Sequence, residues 1–162
     1  MRLLVLLMSL LLTACGFHLR GQAGMPFDTL YLEAPNSGTP FIADLRRNLE
    51  ASKIKFVNSA EQADVVLNIV SEIPEKQILT LRGSGGVNEF QLRYRVSLRA
   101  YDVKGREWMP AEEMILRRDY VYDDTKVLAK EAEEAQLYKS MTSDMVQQVV
   151  RRLSRAKPQL QQ

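Results

Sequence analysis

The apolar positions of this chain keep two different periods, and the switches between them outline its elements. Thr29 to Ala34 alternates, with Leu30 and Leu32 on one side, as a short strand requires. Pro35 and Gly38 break it. Thr39 then offers a helix N-cap, with Pro40 in the first helical position, where a missing N–H costs little. Phe41, Ile42, Leu45 and Leu49 fall on one helical stripe, and Asp44, Arg46, Arg47 and Asn48 lie largely away from it. This helix should end near Ser52, and Lys53 to Val57 reads as a short edge strand.

Ala63 to Leu81 is rich in β-branched and aliphatic residues and predicts a long strand. Val65, Leu67, Ile69 and Ile73 should share one face, with Asn68 and Glu72 on the other. Pro74 cannot donate to a ladder, so it belongs at a bulge or an unpaired edge. Gly83-Ser84-Gly85-Gly86 reads as a hairpin loop; no Gly-Lys-Ser/Thr follows to make a phosphate cradle. Phe90, Leu92, Tyr94, Val96, Leu98 and Ala100 then alternate without a fault, opposite Glu89, Gln91, Arg93, Arg95, Ser97 and Arg99. Lys104-Gly105 turns the chain into another extended run, Glu107 to Tyr122, where Pro110 again demands an edge or a bulge. Asp123, Asp124 and Thr125 open a long final helix. Its stripe is Tyr138, Met141, Met145, Val149 and Leu153, with Leu128 and Ala135 upstream. Past Lys157-Pro158 the pattern gives a flexible tail, residues 157–162.

Strand, helix, three or four strands, helix is most economically packed as an α+β two-layer sandwich. The expectation is a mostly antiparallel sheet of four to five strands with two helices on one face, in a single domain over 29–156.

Composition narrows the function. The chain has 162 residues, one His and one Cys, which leaves no Cys/His cluster for zinc and no disulfide framework. A single His, His18, has no companion with which to build a nucleophile–base pair, so an enzyme is not expected and no metal or cofactor is implied. Lys and Arg total 22 against 20 acids, too balanced for a nucleic-acid binder. Acid pairs such as Glu112-Glu113 are sequence neighbours and in a strand point to opposite faces, so they make no glycosidase pair.

The amino terminus adds a destination. Arg2 precedes an apolar run, Leu3 to Leu12, that is too short to settle across a bilayer but suits a signal peptide. The run ends Leu12-Thr13-Ala14-Cys15, which resembles a bacterial lipobox. That resemblance implies a signal peptide over 1–14, cleavage before Cys15 and acylation of Cys15, followed by an anchor and linker over 15–28. Several acyl chains make a near-permanent tether, where one chain holds only marginally. Gly16 is not the aspartate that typically retains such lipoproteins in the inner membrane, so the outer membrane is the expected location.

Cys15-Gly16-Phe17-His18-Leu19-Arg20-Gly21 resembles the start of the LptE family of lipopolysaccharide-assembly lipoproteins. Asn88-Glu89-Phe90-Gln91, opening the long alternating strand, and Leu128-Ala129-Lys130 look like further family positions. The resemblance implies a non-catalytic protein of two-layer α/β fold that plugs the lumen of the outer-membrane barrel LptD. It would support that barrel's assembly and help move lipopolysaccharide to the outer leaflet. The residues alone leave open a periplasm-facing lipoprotein scaffold of envelope assembly or a peptidoglycan contact.

Lipid A presents phosphates beside acyl chains, so a site for it needs cations within reach of apolar surface. Arg82 sits at the lip of the Gly-rich turn, free to reach outward, and Lys130 matches the family's basic position early in the last helix. The strand returning from Glu107 brings the helix start toward Arg82, with Arg117, Arg118 and Lys126 as secondary candidates at that end. Arg93, Arg95 and Arg99 form a separate row: a partner surface, or a solvated face paired with Glu107, Glu112 or Asp119. Phe17 and His18 are candidates for docking against the partner, and Tyr94, Tyr101, Tyr120 and Tyr122 for protein contact.

Overall fold

A computed structural model describes residues 24–159. Its elements are β1 (Thr29–Glu33), α1 (Pro40–Ala51), β2 (Lys55–Phe56), β3 (Val65–Leu81), β4 (Val87–Tyr101), β5 (Glu107–Val121) and α2 (Val127–Leu153). The five strands form one sheet in the order β2-β1-β3-β4-β5. β3, β4 and β5 are antiparallel neighbours, while β1 pairs parallel with both β2 and β3. The α+β sandwich is as expected, except that its β1 and β2 corner is parallel.

Local signals are realised as chemistry. The Thr39 hydroxyl accepts from the Ile42 N–H at 3.3 Å, with Pro40 directly after it. Phe41, Ile42, Leu45 and Leu49 are buried against the sheet. Lys53 takes a positive φ of 68° to turn the chain from α1 into β2. Met141, Met145, Val149 and Leu153 of α2 complete the core with Leu30, Leu67, Leu92 and Leu98. Gln147 of α2 donates to Asn48 of α1 at 3.0 Å and links the helices across their exposed side.

Both strand prolines sit where a missing donor is harmless. Pro74 pairs with Tyr94 on one side, past the last β1 partner at Asn68, so its other edge is open. Pro110 lies on the edge strand β5 at a bulge, where Leu98 faces Glu112 and Ala100 faces Met109.

A second bulge overturns one face assignment. Ile69 faces Leu98 but Ser71 faces Ser97, so Val70 is an extra residue. The slip inverts the phase beyond it, since strand side chains alternate with period two. Ile73 therefore lies with Arg95 on the outer face, and Glu72 turns under the helices. There Glu72 accepts from the Thr39 hydroxyl at 2.6 Å and the Tyr94 hydroxyl at 2.5 Å.

Three further details differ. The acids at 123–124 open a 3₁₀ turn, Asp124–Lys126, and the α-helix begins only at Val127. Leu128, placed on the buried stripe by its spacing, is 83% exposed. Where the pattern points to fraying, Gln159 exchanges two backbone hydrogen bonds with Glu107 at 3.0 and 2.7 Å.

The β4–β5 turn is organised by Asp102, which is 4% exposed. Its carboxylate accepts from the Lys104 and Arg106 N–H groups, the Arg106 guanidinium and the Trp108 indole. Gly105, at φ 74°, lets the turn close. Burial works against this charge, but the four donors outweigh it and hold the carboxyl below its usual range. A lowered folded pKa stabilises above the unfolded value of 3.8, and that contribution is lost as pH falls through the folded value. Asp102→Asn is therefore expected to lower stability at pH 7 by about 1–3 kcal/mol. It should also flatten the loss of stability below about pH 4. Urea unfolding at stepped pH checks both.

Candidate functional site

At the end of the sheet away from Gly24, the Gly-rich turn meets the opening of α2. Gly85, at φ 88°, closes the turn, and the Arg82 N–H donates to Gly86 O at 2.7 Å. The Arg82 side chain folds back instead of reaching outward. Its Nη2 donates to Tyr122 O at 2.7 Å and its Nη1 to Asp124 Oδ1 at 3.3 Å. Lys126 Nζ lies 3.9 Å from Asp123 Oδ2. The predicted gathering of Arg82 with the helix start is thus present, with Asp123 and Asp124 between the cations. Ile78, Leu79, Leu81, Val121, Val127 and Leu128, on the strand ends and helix start that meet here, are all exposed.

Beneath α2, one step toward the core, is a cluster the sequence pattern did not disclose. Lys76 Nζ donates to Glu134 Oε2 at 2.5 Å and stands 4.2 Å from the centroid of the Phe90 ring. Tyr120, stacked on Phe90 at 5.8 Å, donates its hydroxyl to the same Glu134 oxygen at 2.6 Å. Burial, joined by the Glu134 charge, pushes the Tyr120 hydroxyl up to about 12. Burial opposes the Glu134 charge, yet Lys76 and Tyr120 together hold its carboxyl below the usual range. Tyr138 donates to Glu75 O at 2.7 Å and fastens the next turn of the helix. Lys130 occupies the same stripe one turn before Glu134. Its side chain is 20% exposed, and Nζ donates to Glu133 Oε2 at 2.8 Å.

Arg117 and Arg118 do not join this end as a pair. Arg118 points under the helix layer and donates to Asp144 at 2.9 Å. Arg117 lies on the outer face directly across from Arg93. Arg93, Arg95 and Arg99 share that outer face as expected, but with other partners than those anticipated. Arg95 bridges Glu75 at 2.6 Å and Glu113 at 3.2 Å, and Arg93 lies 4.0 Å from Glu75. Arg99 covers the ring of Tyr101 at 5.0 Å. Glu112 instead faces the helices and pairs with Arg152, and Asp119 accepts from Gln91 at 2.9 Å. Glu112 and Glu113 thus diverge to opposite faces, as their adjacency dictates. Tyr94 and Tyr120 are core residues, unavailable for protein contact. Cys15, Phe17 and His18 lie outside the described residues.

A family model described as lipopolysaccharide-assembly, LptE, matches residues 27–153. The LPS-assembly lipoprotein LptE of Pectobacterium atrosepticum is 29% identical over 154 residues, covering 93% of this chain and 83% of that protein. Its namesake from Yersinia pestis is 30% identical over 158 residues, covering 94% of this chain and 75% of that protein. Among solved structures, lipoprotein B from Nitrosomonas europaea superposes with a TM-score of 0.73 at 42% identity, covering 86% of this chain and 90% of that one. The rare lipoprotein B from Shewanella oneidensis gives 0.68 at 26% identity, covering 76% and 92%.

The Lys76 cluster should hold the first turns of α2 onto the sheet. Lys76→Met is expected to lower stability by about 1–2 kcal/mol, a range that allows for partial solvent screening. Hydrogen exchange is expected to rise selectively over 127–138 and to stay unchanged over 141–153.

Proposed function

The chain belongs to the LptE family of lipopolysaccharide-assembly proteins, and from that premise we propose that it is a non-catalytic, lipid-anchored subunit of an outer-membrane translocon. In this reading it fills and supports the assembly of an LptD-like β-barrel, while the end of the sheet at Arg82 takes lipopolysaccharide. Acyl chains on Cys15 supply the tether to the membrane.

One observation carries the ligand reading: cations and exposed aliphatic side chains occupy the same end of the sheet. Arg82 offers a planar fork suited to phosphate, and Leu81, Val121 and Leu128 offer apolar surface beside it. The Asp124 partner of Arg82 is 64% exposed and its bond is long at 3.3 Å, so a phosphate oxygen can take its place. The Tyr122 carbonyl would still orient the guanidinium. Lys126, from the 3₁₀ turn, and Lys130, from α2, add point charges. Lipid A asks for phosphate contacts beside acyl contacts, and this end supplies both kinds.

The double variant Arg82→Asp with Lys130→Asp is expected to bind lipopolysaccharide about 10- to 100-fold more weakly while melting as a folded protein. Binding titrations with purified lipopolysaccharide and circular dichroism on the same material decide it. Unchanged binding by a folded double variant contradicts this placement.

A further inference from the structure

The opposite end of the sheet holds a second cationic recess. Trp108, at the start of β5, stands between two cavities. The one on the α2 side measures about 440 Å³ and is lined by Trp108, Met109, Pro110, Arg151, Arg152 and Arg155, among others. Arg152 is matched by Glu112 across the recess. Arg151 and Arg155, four residues apart, meet no carboxylate among the described residues. Like charges at that spacing repel. The dipole of α2 favours cations at its C-terminal end. It does not account for a recess whose lining joins these two arginines to Trp108, Met109 and Pro110.

The position of the recess says what could fill it. Phe27 packs edge-on against Trp108, with centroids 5.6 Å apart and an interplanar angle of 89°. The residues that follow the anchor segment therefore lie against the wall of the recess. The chain from Cys15 to Phe27 spans at most about 40 Å. An acylated Cys15 thus confines this end of the protein to within that distance of a bilayer surface. Interfacial lipid offers an anionic phosphate at the depth where Trp side chains settle.

We propose that Trp108, Arg151 and Arg155 form a docking site for the phosphate of an anionic phospholipid headgroup in the leaflet that carries the acylated Cys15. This site is separate from the one at Arg82 and rests on the lipid-anchor part of the function proposed above. It would hold the end of the sheet at Trp108 against that leaflet.

Trp108 is the sole tryptophan of the chain, so tryptophan fluorescence reads this end of the sheet, and the arginine variants assign the signal to the recess. The mature lipoprotein is reconstituted in phosphatidylcholine vesicles with and without phosphatidylglycerol, after mass spectrometry has established the state of Cys15. Phosphatidylglycerol should shift Trp108 emission to the blue, and phosphatidylglycerol brominated high on its acyl chains should quench it. Arg151→Gln with Arg155→Gln should reduce the docked-to-undocked ratio about thirtyfold, at roughly tenfold or less per arginine. Arg82→Asp should leave the signal unchanged. An acylated protein whose Trp108 ignores phosphatidylglycerol, or whose double variant responds like the parent, overturns this inference alone. The same shift produced by inorganic phosphate in phosphatidylcholine vesicles overturns the lipid assignment. An unmodified Cys15 overturns the anchor reading and this inference with it.

Discussion

The hairpin of β3 and β4 outruns the layer that covers it. β3 has 17 residues, about 55 Å of strand at about 3.3 Å per residue, yet β1 flanks only its first four. α1 covers the same half of the sheet. Beyond Ser71 the helix face is sheltered by the N-terminal half of α2 alone, and it cannot bury what a complete layer would. The contact that keeps α2 over this half is Lys76 with Glu134, Tyr120 and Phe90, seconded by Tyr138 on Glu75 O. It is largely polar because the aliphatic packing ends near Met141. Exposed aliphatics and cations at the far end follow directly from the incomplete cover.

The two ends of the molecule are thereby made different. The near end is closed: a core of Leu, Ile, Val and Met between two helices and the sheet, a turn wired by Asp102, and a return of the chain at Gln159 onto the edge of β5. The far end is open, with a turn pinned by Arg82 to the β5–α2 junction and apolar side chains facing outward. A closed end on the amino-terminal side and an open end opposite it suit the proposed subunit, held at one end and working at the other.

Much of this was readable from the residues. Thr39-Pro40 marked a helix start because cap and first-turn chemistry are local, and both strand prolines were placed by the one hydrogen bond they cannot make. The faultless alternation from Phe90 to Ala100 fixed the faces of β4, since no bulge interrupts it. The phase of β3 was not readable past Ile69, because Val70 gives no local sign that it will be squeezed out of register. The slip has a consequence: it carries Glu72 and Lys76 to the side under α2, so unbroken alternation does not disclose the polar cluster there. A lysine and a glutamate in phase with a buried face were the available signal, and reading it required knowing where the bulge fell. The partners of Arg93 and Arg95 depended on strand order, which periodicity does not encode. Among the proposed ligand residues, Arg82 and Lys126 converge because the hairpin topology brings them together. Arg117 and Arg118 separate because neighbours in a strand face opposite ways.

Lipopolysaccharide is proposed to meet this protein at the open, far end of the sheet. Photo-crosslinking in intact cells, with a photoreactive residue placed in turn at Gly83, Ser84, Leu128 and Val103, measures that directly. Adducts to lipopolysaccharide from positions 83, 84 and 128, and none from position 103 at the opposite end, are the predicted result. Lipopolysaccharide adducts confined to position 103, or absent from all four, would contradict it.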